Sequence, residues 1–271
     1  MSHNETGDHR QKLLKHKSMS FFKKLFGSKD NNEPEGTPKE EGGLEAYKKI
    51  PWMTGRRLEN ISICLEAGFK PASSLPTEFD RALRPTVEIA ARLNAIKALV
   101  LWLMVPEENL PNERILNFVD GNKLKNFMTE EEKAILSLPR DDEQGRNAIG
   151  WKFENAWSLA WYFGYTEPAI DGQMMTGEQM QEILVNHTCP LEGKLEDWIV
   201  EKTTIPEEEI IQKEDLFYCL HNAVRSAQLG GETVPVGFHP VGNGGVIHER
   251  RHSLTWMLSK GVDWEETDLS T

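Results

Sequence analysis

The sequence predicts an all-α fold: a single multi-helix domain, orthogonal or bundle-like, with a disordered N-terminal arm. Three observations carry this. Apolar residues recur at helical spacing from about residue 54 onward. No segment alternates with period two, and β-branched runs are scarce. No repeat with a period of about 20–50 residues is visible, which leaves packed helices rather than a solenoid.

Residues 1–50 read as the arm and residues 51–271 as the domain. From Gln11 to Lys29 there are six lysines and no acid. Within this stretch the segment 18–29 is amphipathic, with Phe21, Phe22, Leu25 and Phe26 on one helical face and Lys23 and Lys24 opposite. DNNEPEGTPKEEGG follows, with the composition of a disordered linker. Two readings of residues 19–29 stand side by side: a weak membrane-surface helix, or a plain tail that contains phenylalanines. MSFFKKLFG from Met19 looks like the natural start of a bacterial protein, so residues 1–18 are expected to be an upstream extension.

Thr54 is placed to cap a helix through LENISICLEAGF, stopped by Gly68. Pro71 to Pro76 is a loop. Pro85 opens a long helix, VEIAARLNAIKALVLWLM, whose apolar second half predicts a central, buried position. Asn112 to Phe127 gives one or two short helices. Thr129 with Glu132 is a capping-box pattern ahead of EEEKAILSL. Asp142 to Phe163 reads as one long helix ended by Gly164, and Thr176–His187 and Leu191–Thr203 as two shorter ones. Pro206 opens a helix that Gly230 and Gly231 close, a Pro/Gly-rich loop follows, and VIHERRHSLTWMLSKG is the last helix. GNGG at 242–245 lacks the lysine and strand context of a phosphate loop and reads as a flexible turn. DWEETD at 263–268 reads as a cap that docks Trp264.

Bulk properties exclude several classes. With 31 Lys/Arg against 43 Asp/Glu the formal charge is −12, and an acidic body repels phosphate backbones, so general nucleic-acid binding is disfavoured. Three cysteines, none spaced as CxxC, fit buried thiols in a reducing compartment better than a disulfide framework or a cysteine-rich zinc site. The longest apolar run, Ala95–Val105, is interrupted by Lys97, too short for a membrane span. No secretory h-region is present, so a cytoplasmic location is expected, or one peripheral to the inner face of the membrane through the arm.

Two constellations carry candidate chemistry. His248-Glu249-Arg250-Arg251-His252 is a literal HExxH on a predicted helix, the spacing that puts two zinc-ligating histidines on one face with a glutamate to activate metal-bound water. Two arginines inside the motif and the lack of an evident third ligand oppose that reading. The second constellation is an aromatic face shared by Trp151, Glu154, Trp157, Ser158 and Trp161. A carboxylate among indoles needs a cation, and Arg250, otherwise Arg92 or Arg225, is the expected partner. Arg84, Glu88 and Arg92 form a second stripe at i, i+4, i+8, and His221 and Arg225 a third pair. Together these residues make either a polar cleft for a small ligand or acid–base chemistry, or a structural salt-bridge network that fixes helix order.

Five segments, RPTVEIAARLNAI, WKFENAWSLAWYFG, EDLFYCLHNAVRSAQLGG, HERRHSLTW and DWEETD, occur in an order and spacing that resembles the bacterial family called domain of unknown function 4272, over about Thr54 to Thr271. The resemblance implies a Glu–Arg pair and a Trp on the last helix, at Glu249, Arg250 and Trp256, with no pair of histidines there, and it carries no activity. The expectation is a non-catalytic interaction or small-ligand-binding protein without a cofactor, with a protein partner as one option. The alternative is an enzyme built on Glu154, Glu249 and Arg250. A ligand in either case would meet Arg84, Glu88, Arg92, Trp157, Trp161, His221 and Arg225, and the sharpest version of the enzyme is a zinc hydrolase using His248 and His252.

Overall fold

A computed structural model describes residues 43–53, 55–77 and 81–271. The expectations for the arm before Gly43, its segment 18–29 and the cap at Thr54 lie outside the described residues. The first helix, α1 (Gly43–Lys48), falls inside residues 1–50, the stretch read as the arm, so the packed domain reaches back beyond Pro51. The cause is Tyr47, which is buried and donates its hydroxyl to Pro71 O at 2.6 Å. A single aromatic in a charged, Gly-rich context is too weak a periodic signal to announce this helix.

α2 (Gly55–Glu66) and the central α3 (Thr86–Met104) follow. Ile89 to Val100 of α3 are buried without a break, as its all-round apolar pattern requires. α4 (Asn112–Gly121) and a 3-10 turn (Leu124–Phe127) lead to α5 (Glu130–Ile135). The Thr129–Glu132 capping box is present in full. The single helix expected over Asp142–Phe163 is two, α6 (Glu143–Ile149) and α7 (Lys152–Tyr162), interrupted at Gly150 and Trp151. Gly150, like Gly145 within α6, is a weak helix former, and both interrupting residues keep right-handed helical dihedrals.

α8 (Gly177–Asn186), α9 (Leu195–Val200), α10 (Glu207–Gln228), α11 (Gly242–Met257) and a 3-10 turn (Trp264–Glu266) complete the order. α11 begins four residues earlier than expected, because GNGG is its first turn and not a loop. A Cβ on Gly244 would lie 2.5 Å from Val224 Cγ1, so glycine is what lets α11 approach α10. Asn243 ties the turn to its surroundings, accepting from His239 N at 2.8 Å and donating to Gly172 O at 2.9 Å.

α11 packs on α10 and α7, α7 on α3, and α10 on α2, so the last two helices are brought together with α7 from the middle of the sequence. Among the described residues there is no strand, only an isolated bridge between Ala82 and Ser259 that joins the entry to α3 with the exit of α11. No helix among them is long and apolar enough to cross a membrane.

Candidate functional site

Where α11 crosses α7, Arg250 meets Glu154, and both side chains are almost wholly buried. Arg250 Nε donates to Glu154 Oε2 at 2.9 Å, and Nη2 lies 2.8 Å from the same oxygen. Nη1 donates to Ala169 O, and Nη2 also donates to Gln173 O at 2.6 Å. Glu154 Oε1 accepts from Met175 N at 2.7 Å, and the guanidinium lies 4.3 Å above the Trp157 ring. The expected pair therefore exists, and its remaining donors and acceptors are spent on the backbone between Ala169 and Met175. Burial holds the Glu154 carboxyl above its ordinary range despite Arg250 and the Met175 N–H, and burial lowers Arg250 in turn. In this pair, desolvation outweighs attraction, so its value is positional.

Other candidate arginines work in the same way. Arg84 donates to Trp256 O and Ser259 O, each at 2.7 Å, and to Val262 O, lies 4.1 Å from the Trp256 ring, and pairs with Glu88 at 3.0 Å. Arg92, third in the expected stripe, turns away from Glu88. It holds Glu132 through two hydrogen bonds of 2.6 and 2.8 Å and donates to Phe127 O at 2.8 Å, with Trp264 3.9 Å from its guanidinium. Lys152 reaches Glu132 at 3.0 Å. Although burial opposes the charge, Arg92 and Lys152 together draw the Glu132 carboxyl down to about 2. Trp157 donates from Nε1 to Thr166 O at 2.9 Å, and Trp161 is buried in the core. Arg225, beside Gln228 Oε1 at 2.7 Å, is not the partner of Glu154.

The histidines form a separate cluster. Arg251 Nη1 lies 2.6 Å from His221 Nδ1, and His221 Nε2 lies 3.3 Å from His248 Nδ1. A guanidinium carries donors only, so His221 Nδ1 must accept. The His221 proton is then on Nε2, which donates to His248 Nδ1 and leaves the His248 proton on Nε2. His252 Nε2 must likewise be protonated, because it donates to Trp264 O at 2.9 Å. These tautomers follow from the hydrogen-bond network. They leave His248 no unprotonated nitrogen outside the relay, and the arginine expected to weaken a zinc site is the group that fixes this. Among the described residues, no group of three or more His, Cys, Asp or Glu side chains is placed to hold a metal ion. Within HERRH, His248 Nδ1 and His252 Nε2 are thus engaged by His221 and by Trp264 O.

The relay is also electrostatically confined. Burial, with Arg251, His248 and Arg225 behind it, pushes His221 well below the ordinary imidazole range; burial lowers His248 and takes His252 to about 4. Glu249 is half-buried and its Oε2 accepts from Asn155 Nδ2 at 3.0 Å, while Asn155 Oδ1 is buried without a hydrogen-bond partner. Glu249 and Arg250, neighbours in sequence, thus face different surroundings.

Sequence reasoning missed the Arg57–Asp215 pair, joined at 2.7 Å between α2 and α10 and extended by Asn60 at 2.8 Å. It also missed Glu214, which lies 2.5 Å from Arg81 and accepts from Thr255 at 3.0 Å. Glu214 Oε2 lacks a well-aligned hydrogen bond, but the ion pair with Arg81 meets its charge. No local signal announces partners 158 residues apart. One apolar pocket, lined by Leu93, Ile96, Val100, Met180 and Ile183 among others, has no room for a water molecule.

The model of the family described as Domain of unknown function (DUF4272) matches residues 56–267. No curated protein and no solved structure matches the chain.

Proposed function

The chain belongs to the DUF4272 family, and we propose that it is a non-catalytic interaction module whose buried arginines fix the shape of a surface offered to a protein partner. One observation carries the reading: the guanidiniums of Arg84 and Arg92, candidate ligand-binding groups, and of Arg250, a catalytic candidate, are spent on backbone carbonyls and carboxylates inside the fold. A cleft that binds a polar ligand needs such donors open. What the domain offers outward includes exposed apolar side chains such as Met174, Val185, Val200, Leu229 and Val236. We infer a reducing bacterial cytoplasm as the setting, in keeping with three buried free thiols.

A photo-crosslinking residue placed in turn at Met174, Val185, Val200, Leu229 and Val236 in cells should give one discrete protein adduct from a subset of positions. A metabolite that raises the melting temperature and is turned over, with both effects lost in Glu249→Gln, would overturn the reading. That outcome would favour the second one, an acid–base enzyme centred on Glu249. Its support is the half-buried carboxylate held by Asn155, whose own Oδ1 lacks a partner, beside His248 and His252.

A further inference from the structure

We propose that the segment after α11, residues 263–271, is an acid-released strap: proton uptake by the His221–His248 pair breaks the relay through which Arg251 is oriented to hold the backbone of Leu269 and Ser270. Arg251 Nη1 serves His221 Nδ1 at 2.6 Å and Leu269 O at 2.9 Å, and Nη2 donates to Ser270 O at 3.1 Å. The guanidinium that fixes the histidine tautomers is therefore the one that holds the strap.

The relay has no place for another proton. A proton on His221 Nδ1 would face a donor of Arg251. A proton on His248 Nδ1 would face the donor Nε2 of His221. Either addition sets two donors against each other, so protonation requires one of the two contacts to open. The groups facing the pair come from every element around it. α10 supplies Glu214, Tyr218 and Arg225; α11 supplies Glu249, Arg251 and His252; α7 supplies Lys152 beside His252; the strap supplies Asp268. Arg251 and Arg225 oppose a charged imidazole. Glu249 favours one on His248, while Glu214 is engaged by Arg81 and Thr255 and lies 3.9 Å from Arg251 Nε.

Release is confined to the far end of the strap. Trp264 is held independently by the His252 Nε2–H, a donor that persists when the ring is protonated, and by stacking on His252 at 4.3 Å. The sign follows from the buried state: the engaged relay holds fewer protons than the opened one, so release is favoured as pH falls below about 6.5. Each pH unit there multiplies the released-to-engaged ratio by up to about tenfold per proton taken up.

The test is a spin label on Thr271→Cys in the full chain, since Cys64, Cys189 and Cys219 are buried. Its mobile fraction should rise between pH 7 and 5 while far-ultraviolet circular dichroism stays constant. In the double variant His221→Gln/His248→Gln, an amide oxygen still accepts from Arg251 and an amide N–H still donates, but neither side chain of the pair titrates. That strap should remain immobile across the range. A wild-type label equally immobile at pH 7 and pH 5, or the same midpoint in the double variant, overturns the proposal. If the double variant does not fold, imidazole nitrogen shifts in the wild type decide: His221 and His248 must take up their proton at the pH where the label becomes mobile, and a different midpoint overturns it.

Discussion

Substituting either member of the Glu154–Arg250 pair should cost roughly 3–5 kcal/mol, because each change leaves a buried group that nothing else can satisfy. Both Glu154 oxygens act as acceptors, Oε1 from Met175 N and Oε2 from Arg250. A glutamine at 154 offers one acceptor and one donor, so either orientation sets its NH2 against an N–H. In Arg250→Met the carboxylate keeps only the Met175 N–H, and Ala169 O and Gln173 O lose their donor. That places the arginine change at the upper end. For a domain of this size the range corresponds to a drop in melting temperature of about 6–20 °C, read by circular dichroism at 222 nm. The double variant Glu154→Gln/Arg250→Met should lose much less than the sum, since the amide N–H no longer opposes a guanidinium. Single variants melting within about 2 °C of the wild type, or a double variant equal to the sum, would refute the reasoning, because the pair would then not be holding the 169–175 backbone.

Four further outcomes are expected. Glu132, drawn down to about 2, stabilises the fold above pH 4.5 and loses that contribution as pH falls toward 2; the deficit of Glu132→Gln, roughly 3 kcal/mol at neutral pH, should shrink over that window in melts of both proteins. Lys97, lowered to about 8 by burial, charges the folded state a cost that disappears as pH rises from 8 to 10.5, and Lys97→Met should stabilise by roughly 1–2 kcal/mol at pH 7 after the lost bond to Cys189 O, measured by urea denaturation. Dialysis against a chelator should leave the melting temperature unchanged, and about one zinc per chain lost in His252→Ala would reverse the histidine tautomers. For the arm, the full chain should sediment with anionic liposomes in a salt-sensitive way and a chain starting at Gly43 should not; equal behaviour leaves a plain tail.

Local chemistry was the legible part of the fold. The Thr129–Glu132 box, the central burial of Ile89–Val100 and the ends of the helices at Gly68, Gly164 and Gly230 follow from side-chain capping, periodicity and left-handed glycines within a few residues of sequence. Glu154 could be assigned an arginine partner because a carboxylate on a tryptophan face has few other options. The partners of Arg92, Arg57 and Glu214 could not, since one helix wheel does not say which neighbour arrives. GNGG was misread for a related reason: what calls for glycine at 244 is the close approach of Val224 on another helix, which its own four residues do not announce. At the histidines, the spacing of HExxH was visible, but the protonation that disqualifies it depends on His221, 27 residues away.

The arginine contacts also bear on how the chain is made. Arg84 is joined to backbone 172–178 residues downstream, Arg57 to Asp215 at a separation of 158, and Glu154 to Arg250 at 96. A ribosome that has finished α10 has therefore released Arg84 and Glu154 with only Glu88 and the Met175 N–H to meet them, before Arg250 and the carbonyls of Trp256, Ser259 and Val262 exist. Closing such long loops is entropically slow. Until α11 emerges, the core can close around Arg92 and Arg57, whose partners are already made, but not around Arg84 and Glu154.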